Sequence, residues 1–153
     1  MDIIRVEPGK LTWKHVLDIQ EFMNAGFATE KHKRTFNPEG FYCFWSEALY
    51  DTDHYCMFLV MDGNDVVGIL AGALAHDPLT YRIGAYEFHW RVSSRGKGYG
   101  MKLVEAFEEW ARQQGATHVF LHGRTDKGDA QRVARKTKKA GYVISGFQCM
   151  KEI

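Results

Sequence analysis

Apolar side chains recur at helical spacing from residue 13 to 23 and again from 41 to 49, in alternating or unbroken runs from 55 to 90, and at helical spacing once more from 103. Residues 2–6 (DIIRV) read as a short strand closed by Pro8 and Gly9. Thr12 is placed to cap a helix over 13–24, whose apolar residues Trp13, Val16, Leu17, Ile19 and Met23 fall near helical spacing. Residues 25–36 have no period and read as a loop. Asn37 followed by Pro38 signals the next helix, with Phe41, Phe44, Trp45, Ala48 and Leu49 as its inward stripe. Strands follow over 55–61, 66–75 and 81–90, joined by turns at 62–65 and 76–78. A helix then runs to about residue 114 with Leu103, Val104, Phe107, Trp110 and Ala111 inward, and a strand covers 118–122. A polar loop over 123–128 leads to a helix over 130–140, capped by Asp129 and stopped by Gly141. Residues 142–153 read as a terminal strand or hairpin, kinked at Gly146.

The order β-α-α-β-β-β-α-β-α-β predicts an α/β (α+β) fold: a mixed central sheet of six or seven strands flanked by about four helices. At 153 residues this is one domain, spanning 1–153. With 45% apolar and 25% charged residues, the chain is neither disordered nor a fibrous repeat. Lys and Arg number 20 against 19 Asp and Glu, a net +1, so no global field draws nucleic acid or membrane. Cys43, Cys56 and Cys149 form no CxxC pair and predict reduced, mostly buried thiols in a cytoplasmic protein. No run of 18 apolar residues is present to span a membrane. His54, His76, His118 and His122 lack metal-ligand spacing, so no metal is expected.

The chemistry concentrates after the third strand of the meander, in Ser93-Ser94-Arg95-Gly96-Lys97-Gly98-Tyr99-Gly100. Glycines free backbone N–H groups to point into one concavity, and the helix N-terminus behind them adds a positive dipole end. Together these make a phosphate site, with Arg95 and Lys97 adding charge at its rim. The run is not a P-loop, because GxxxxGK[ST] is absent. Nor is it a dinucleotide fingerprint, because Lys102 and Leu103 follow where a third glycine belongs.

These residues resemble the GNAT superfamily of acetyl-CoA-dependent N-acyltransferases, whose pyrophosphate loop reads Arg/Gln-x-x-Gly-x-Gly/Ala. Arg95, Gly98 and Gly100 match that pattern. Glu87-Phe88-His89-Trp90 stands where many members carry Glu, an apolar residue, any residue and Val, while Val92 replaces a common proline. The element order fits the family over essentially the whole chain. The resemblance implies a GNAT fold, acetyl-CoA as co-substrate, and transfer of its acetyl group to a primary amine of a small molecule or protein by direct attack on the thioester. It maps pyrophosphate binding to the backbone of Arg95, Gly96, Lys97, Gly98, Tyr99, Gly100 and Met101. It maps the pantetheine arm to the main chain of Phe88, Trp90 and Arg91, where a splayed strand mimics strand addition and an N–H polarises the thioester carbonyl. Glu87 falls where relatives carry an acidic residue, which implies the general base; otherwise it is an edge glutamate. The family's acid, a Tyr five residues before the aromatic of a Gly-Phe pair, is replaced by Thr137, counted back from Gly141-Tyr142. The Asn near the start of that helix is also missing.

Strict alternation puts Glu87, His89 and Arg91 on one face of the strand and Phe88 and Trp90 on the other. His89 is then a candidate to share the proton relay of Glu87, or else a satisfied structural histidine. His122, at the end of the fifth strand, points towards the cleft region in this fold and is a further candidate. Tyr81, Arg82, Ile83, Gly84, Ala85 and Tyr86 are placed to line the acceptor site. In the family the segment holding Glu30, Lys31, His32, Lys33 and Arg34 covers that site; the alternative is a solvated loop. Residues 124–139 carry seven basic and two acidic side chains, a local +5, read as a rim for the CoA phosphates, a nucleic-acid surface or a solvated face. A non-catalytic GNAT-fold module binding acyl-CoA, protein or nucleic acid is the alternative to the enzyme. The aromatic segment 142–150 is a candidate to pair across a homodimer.

Overall fold

The structure, a computed structural model, describes residues 1–27, 35–122 and 129–143. It divides into two compact units, Met1–His122 and Gly123–Ile153. The first contains β1 (Asp2–Arg5), α1 (Trp13–Phe27), α2 (Pro38–Ala48), β2 (Tyr55–Asp62), β3 (Asp65–His76), β4 (Ile83–Val92), α3 (Gly100–Gln113) and β5 (His118–Phe120). The second contains α4 (Asp129–Lys139).

Local chemistry explains where the helices begin. The Thr12 hydroxyl accepts the His15 N–H at 3.2 Å and His15 Nδ1 accepts the Thr12 N–H at 3.3 Å, a reciprocal cap with histidine in the acceptor role. Burial lowers the pKa of His15, which keeps Nδ1 available as an acceptor. At α2 the Asn37 side chain accepts the Gly40 N–H at 3.0 Å and Pro38 opens the first turn. In the second unit α4 ends as predicted at Gly141, whose φ is 92°. There Tyr142 N–H reaches Thr137 O at 3.0 Å and Gly141 N–H reaches Lys138 O at 3.1 Å, the paired bonds of a glycine C-cap.

The first unit is built on a mixed sheet in the order β1-β2-β3-β4-β5, antiparallel except for the parallel β4–β5 pair. Met57, Leu59, Ile69 and Ala71 face α1 and α2, where Val16, Ile19, Phe22, Met23, Phe41, Trp45 and Leu49 complete one core. The opposite face meets α3 through Leu103, Val104, Phe107, Trp110 and Ala111. Burying each large apolar side chain is worth about 1.5–3 kcal/mol, so this double-sided sheet supplies a rigid floor for whatever its edge carries.

Several expectations are corrected. Helix α1 runs on to Phe27, because Phe22, Gly26 and Phe27 are buried in its last turns. Trp13 and Leu17 are exposed, since only the side of α1 centred on Val16, Ile19 and Met23 meets the sheet. Phe44 is exposed too, its ring edge-on to Trp45 and Tyr55. Strand β4 begins and ends two residues later than predicted. The turn before it extends through Tyr81, at φ 55°, with Asp77 accepting the Leu79 N–H at 2.8 Å and the Thr80 hydroxyl at 2.7 Å. Cys56 is buried but Cys43 is exposed. Five strands are seen among the described residues; most of the expected terminal strand, 144–153 with Cys149, lies outside them, as do 28–34 and 123–128. Among the described residues no helix is long and apolar enough to cross a membrane.

Candidate active site

Strand β4 is not an unbroken pleat. Glu87 pairs with Gly72 of β3 while His89 pairs with Ala71, so Phe88 is an extra residue, a β-bulge. Paired residues share a face. Glu87 therefore lies with Gly72 on the α3 side, and His89 lies with Ala71 on the α1–α2 side. There the His89 ring packs 5.5 Å from Phe41 and 5.9 Å from Trp45. The expected same-face placement of Glu87 and His89 fails because alternation assumes no bulge. Gly72 is required opposite the kink: a Cβ there would stand 2.3 Å from Tyr86 O and 2.9 Å from the Phe107 ring.

The last β4–β5 pair is Tyr86 with Phe120, after which the two parallel strands part. At this fork the structure brings Glu87 together with His122. The His122 N–H donates to Glu87 Oε2 at 3.0 Å, and His122 Nδ1 lies 2.7 Å from the Glu87 carbonyl oxygen and 3.8 Å from Oε2. The Glu87 side chain is 5% exposed and that of His122 is 55% exposed. Burial pushes the Glu87 carboxyl above the usual carboxylate range, opposed by the hydrogen bond and the charge of His122. Beyond Tyr86 the β5-facing edge of β4 has no strand beside it among the described residues, and this edge includes Phe88, Trp90 and Arg91.

The loop from Ser93 to Tyr99 is fixed at its start by Ser93 N–H to Val67 O, 2.9 Å, and turned by Tyr99 N–H to Gly96 O, 3.0 Å. A Cβ on Gly96 would lie 2.5 Å from Val67 O, so the loop approaches β3 too closely for any other residue. Gly98 adopts φ 98° facing open space. Tyr99 makes no side-chain cap on α3, and among the described residues the N–H groups of Gly98, Gly100, Met101 and Lys102 meet no protein acceptor. The Trp90 indole donates to Gly100 O at 3.1 Å, tying β4 to this helix start. Arg95 is held by Asp62 at 2.6 Å and Asp65 at 3.1 Å. Asp65 also pairs with Lys14 at 3.0 Å, so the loop is strapped to the β2–β3 turn and to α1. The Arg91 guanidinium occupies the space a side chain at Gly26 would fill, 1.6 Å from the site of its Cβ.

A model of the acetyltransferase (GNAT) family matches residues 18–138. The chain belongs to the GNAT acetyltransferase family. Among curated proteins this GNAT chain is 37% identical over 78 residues to N-acetyltransferase 8F1 of Rattus norvegicus, a stretch covering 50% of this chain and 35% of that relative's length. Among solved structures it is similar to an aminoglycoside acetyltransferase from an uncultured soil metagenomic sample (19% identity, 99% and 96% of the two chains, TM-score 0.70). It is also similar to glucosamine-6-phosphate N-acetyltransferase from Arabidopsis thaliana (14% identity, 99% of both chains, TM-score 0.69). At such identity the two structures speak for the fold alone.

In this GNAT domain the loop follows directly on the β4 residues named from the sequence, whereas the His89 ring lies against Phe41 and Trp45 of α2. Arg82, Gly84 and Tyr86 of the expected acceptor wall line a cleft of about 220 Å³ with Asp77, Thr80, His118 and Phe120. Its floor is the Tyr86–Phe120 stack, with centroids 4.7 Å apart and planes within 6°. Sequence reasoning missed the pairing of His122 with Glu87 and the acidic partners of Arg95. The first had one signal, the expected place of His122 at the end of a strand over 118–122; β5 stops at Phe120, and His122 follows two residues beyond it. Among the described residues no group of three or more His, Cys, Asp or Glu is arranged for a metal ion. The Thr137 hydroxyl donates within its own helix, 3.1 Å from Val133 O and 3.1 Å from Ala134 O.

Proposed function

We propose that the protein is an N-acetyltransferase that carries the acetyl group of acetyl-CoA to a primary amine. The observation that carries this reading is the start of α3. Among the described residues, the backbone N–H groups of Gly98, Gly100, Met101 and Lys102 at this helix start meet no protein acceptor, and beyond Tyr86 the adjoining β4 edge has no strand beside it. That combination suits a ligand with a pyrophosphate at one end and an amide-bearing arm at the other. The residues from Arg95 to Met101 hold the diphosphate through their backbone. Phe88, Trp90 and Arg91 pair with the arm, which brings the thioester to the bulge beside Glu87. Arg95 serves this site by fastening the loop, its charge being shared with Asp62 and Asp65. The aromatic-floored cleft at Tyr86 and Phe120 receives the acceptor, a small molecule or a protein amine.

Calorimetric titration with acetyl-CoA, and with dephospho-CoA as a comparison, tests the reading. Micromolar binding of acetyl-CoA is expected, lost in Gly98→Val, whose side chain enters the space over the loop. Thiol release should then follow on adding one member of an amine panel that includes an aminoglycoside, glucosamine 6-phosphate, a free amino acid and a short peptide. Absence of acetyl-CoA binding at high micromolar concentration would overturn the assignment and leave the fold as a module for another partner.

A further inference from the structure

Glu87 carries the only charge buried beneath the fork among the described residues, yet its side chain is 5% exposed. A carboxylate so enclosed is closed to direct contact with an acceptor ammonium. His122, 55% exposed, stands over it at the point where β4 and β5 separate. The geometry also fixes which ring nitrogen is basic. A carbonyl oxygen only accepts, so the 2.7 Å contact with Glu87 O requires that Nδ1 carry a proton. The lone pair is then on Nε2, the nitrogen remote from the strand. The Glu87 carboxylate, 3.8 Å from Nδ1, is the charged group recorded against the ring among the described residues, and it balances the charge the ring acquires on taking a second proton.

We propose that His122 is the catalytic base of the acetyl transfer, and that Glu87 is a positioning residue acting through it. This rests on the acetyl-transfer reading above. Nε2 of His122 takes one proton from the acceptor ammonium. The neutral amine forms a C–N bond to the thioester carbonyl carbon, and its electron pair displaces the carbonyl π pair onto oxygen. Collapse reforms the carbonyl and breaks the C–S bond. A proton from the new nitrogen passes to the departing sulfur, and the imidazolium returns its proton to solvent. Acetyl-CoA and an ammonium thus yield an amide, CoA and one proton. His89 takes no part, since its ring packs against Phe41 and Trp45 of α2.

Two measurements test this, the second independent of turnover. With the acceptor selected from the amine panel, His122→Gln should lower kcat/KM at pH 7 by about 100-fold or more while acetyl-CoA affinity by calorimetry is unchanged. The deficit should shrink as pH rises and the amine sheds its own proton. Glu87→Gln added to His122→Gln should cost nothing further, because the two act as one unit. A deficit that is the same at every pH, or a double variant slower than His122→Gln, would overturn the roles. Nitrogen-15 spectra of the histidine rings, with His122 assigned by its loss in His122→Gln, should show the Nδ1–H tautomer; an Nε2–H tautomer overturns the proposal. A wild type that binds acetyl-CoA but transfers to no acceptor would remove the reaction itself.

Discussion

Glu87 is held in water's absence by one N–H donor and a neighbouring imidazole, and desolvation outweighs both, so its carboxyl titrates above the usual carboxylate range. A carboxyl raised in this way favours the folded state fully only below its unfolded pKa, where it is neutral in both states. That contribution is lost as pH climbs through the raised native value. Glu87→Gln keeps the acceptor for the His122 N–H and removes the charge. The variant should therefore melt at a higher temperature than the wild type at neutral pH, and the two should converge in acid. Melting curves across pH check this; a variant less stable at neutral pH would mean that the charge stabilises the fold. A residue that weakens the fold where it stands is a mark of a site shaped for chemistry.

Among the elements, α2 has the most local origin and a distant effect. Its first turn depends on the Asn37 side chain at the Gly40 N–H, and its inner face supplies the Phe41 and Trp45 rings that enclose His89. Asn37→Ala should destabilise the protein by about 1 kcal/mol in urea unfolding, with Asn37→Asp close to the wild type. Such caps are legible in sequence because the signal spans four residues. The same holds for the α3 loop, announced by glycines and basic residues in a run, and for the Gly141 stop. Arg95 shows the limit of local reading. Its two acidic partners lie at least thirty positions away, and no spacing rule connects them with it.

At the scale of the whole molecule, the order of elements and the mixed sheet follow from the change in hydrophobic period, and those expectations hold across the described residues. What the pattern could not supply was geometry set by pairing between strands. The face on which Glu87 lies depends on Gly72 and the bulge opposite it, and its contact with His122 spans 35 positions through a parallel register. Trp13, Leu17 and Phe44 mislead for a related reason. Their helices carry more apolar surface than the sheet covers, and only contact decides which part is used.

Phe88 has a further meaning when the residues of β4 are counted as an inserted series. Removing one residue from an ordinary strand turns everything after it inside out. Here the surplus is a single residue between Gly72↔Glu87 and Ala71↔His89, so deleting Phe88 would close the ladder with every remaining side chain still on its present side. Architecture does not need this residue; only the bend does. A protein lacking Phe88 should fold, with near-native circular dichroism and cooperative melting, yet lose acetyl transfer because the strand edge no longer leans away at the fork. Retained transfer would mean that the bend is dispensable. Few single-residue deletions separate the integrity of a fold from its use so cleanly.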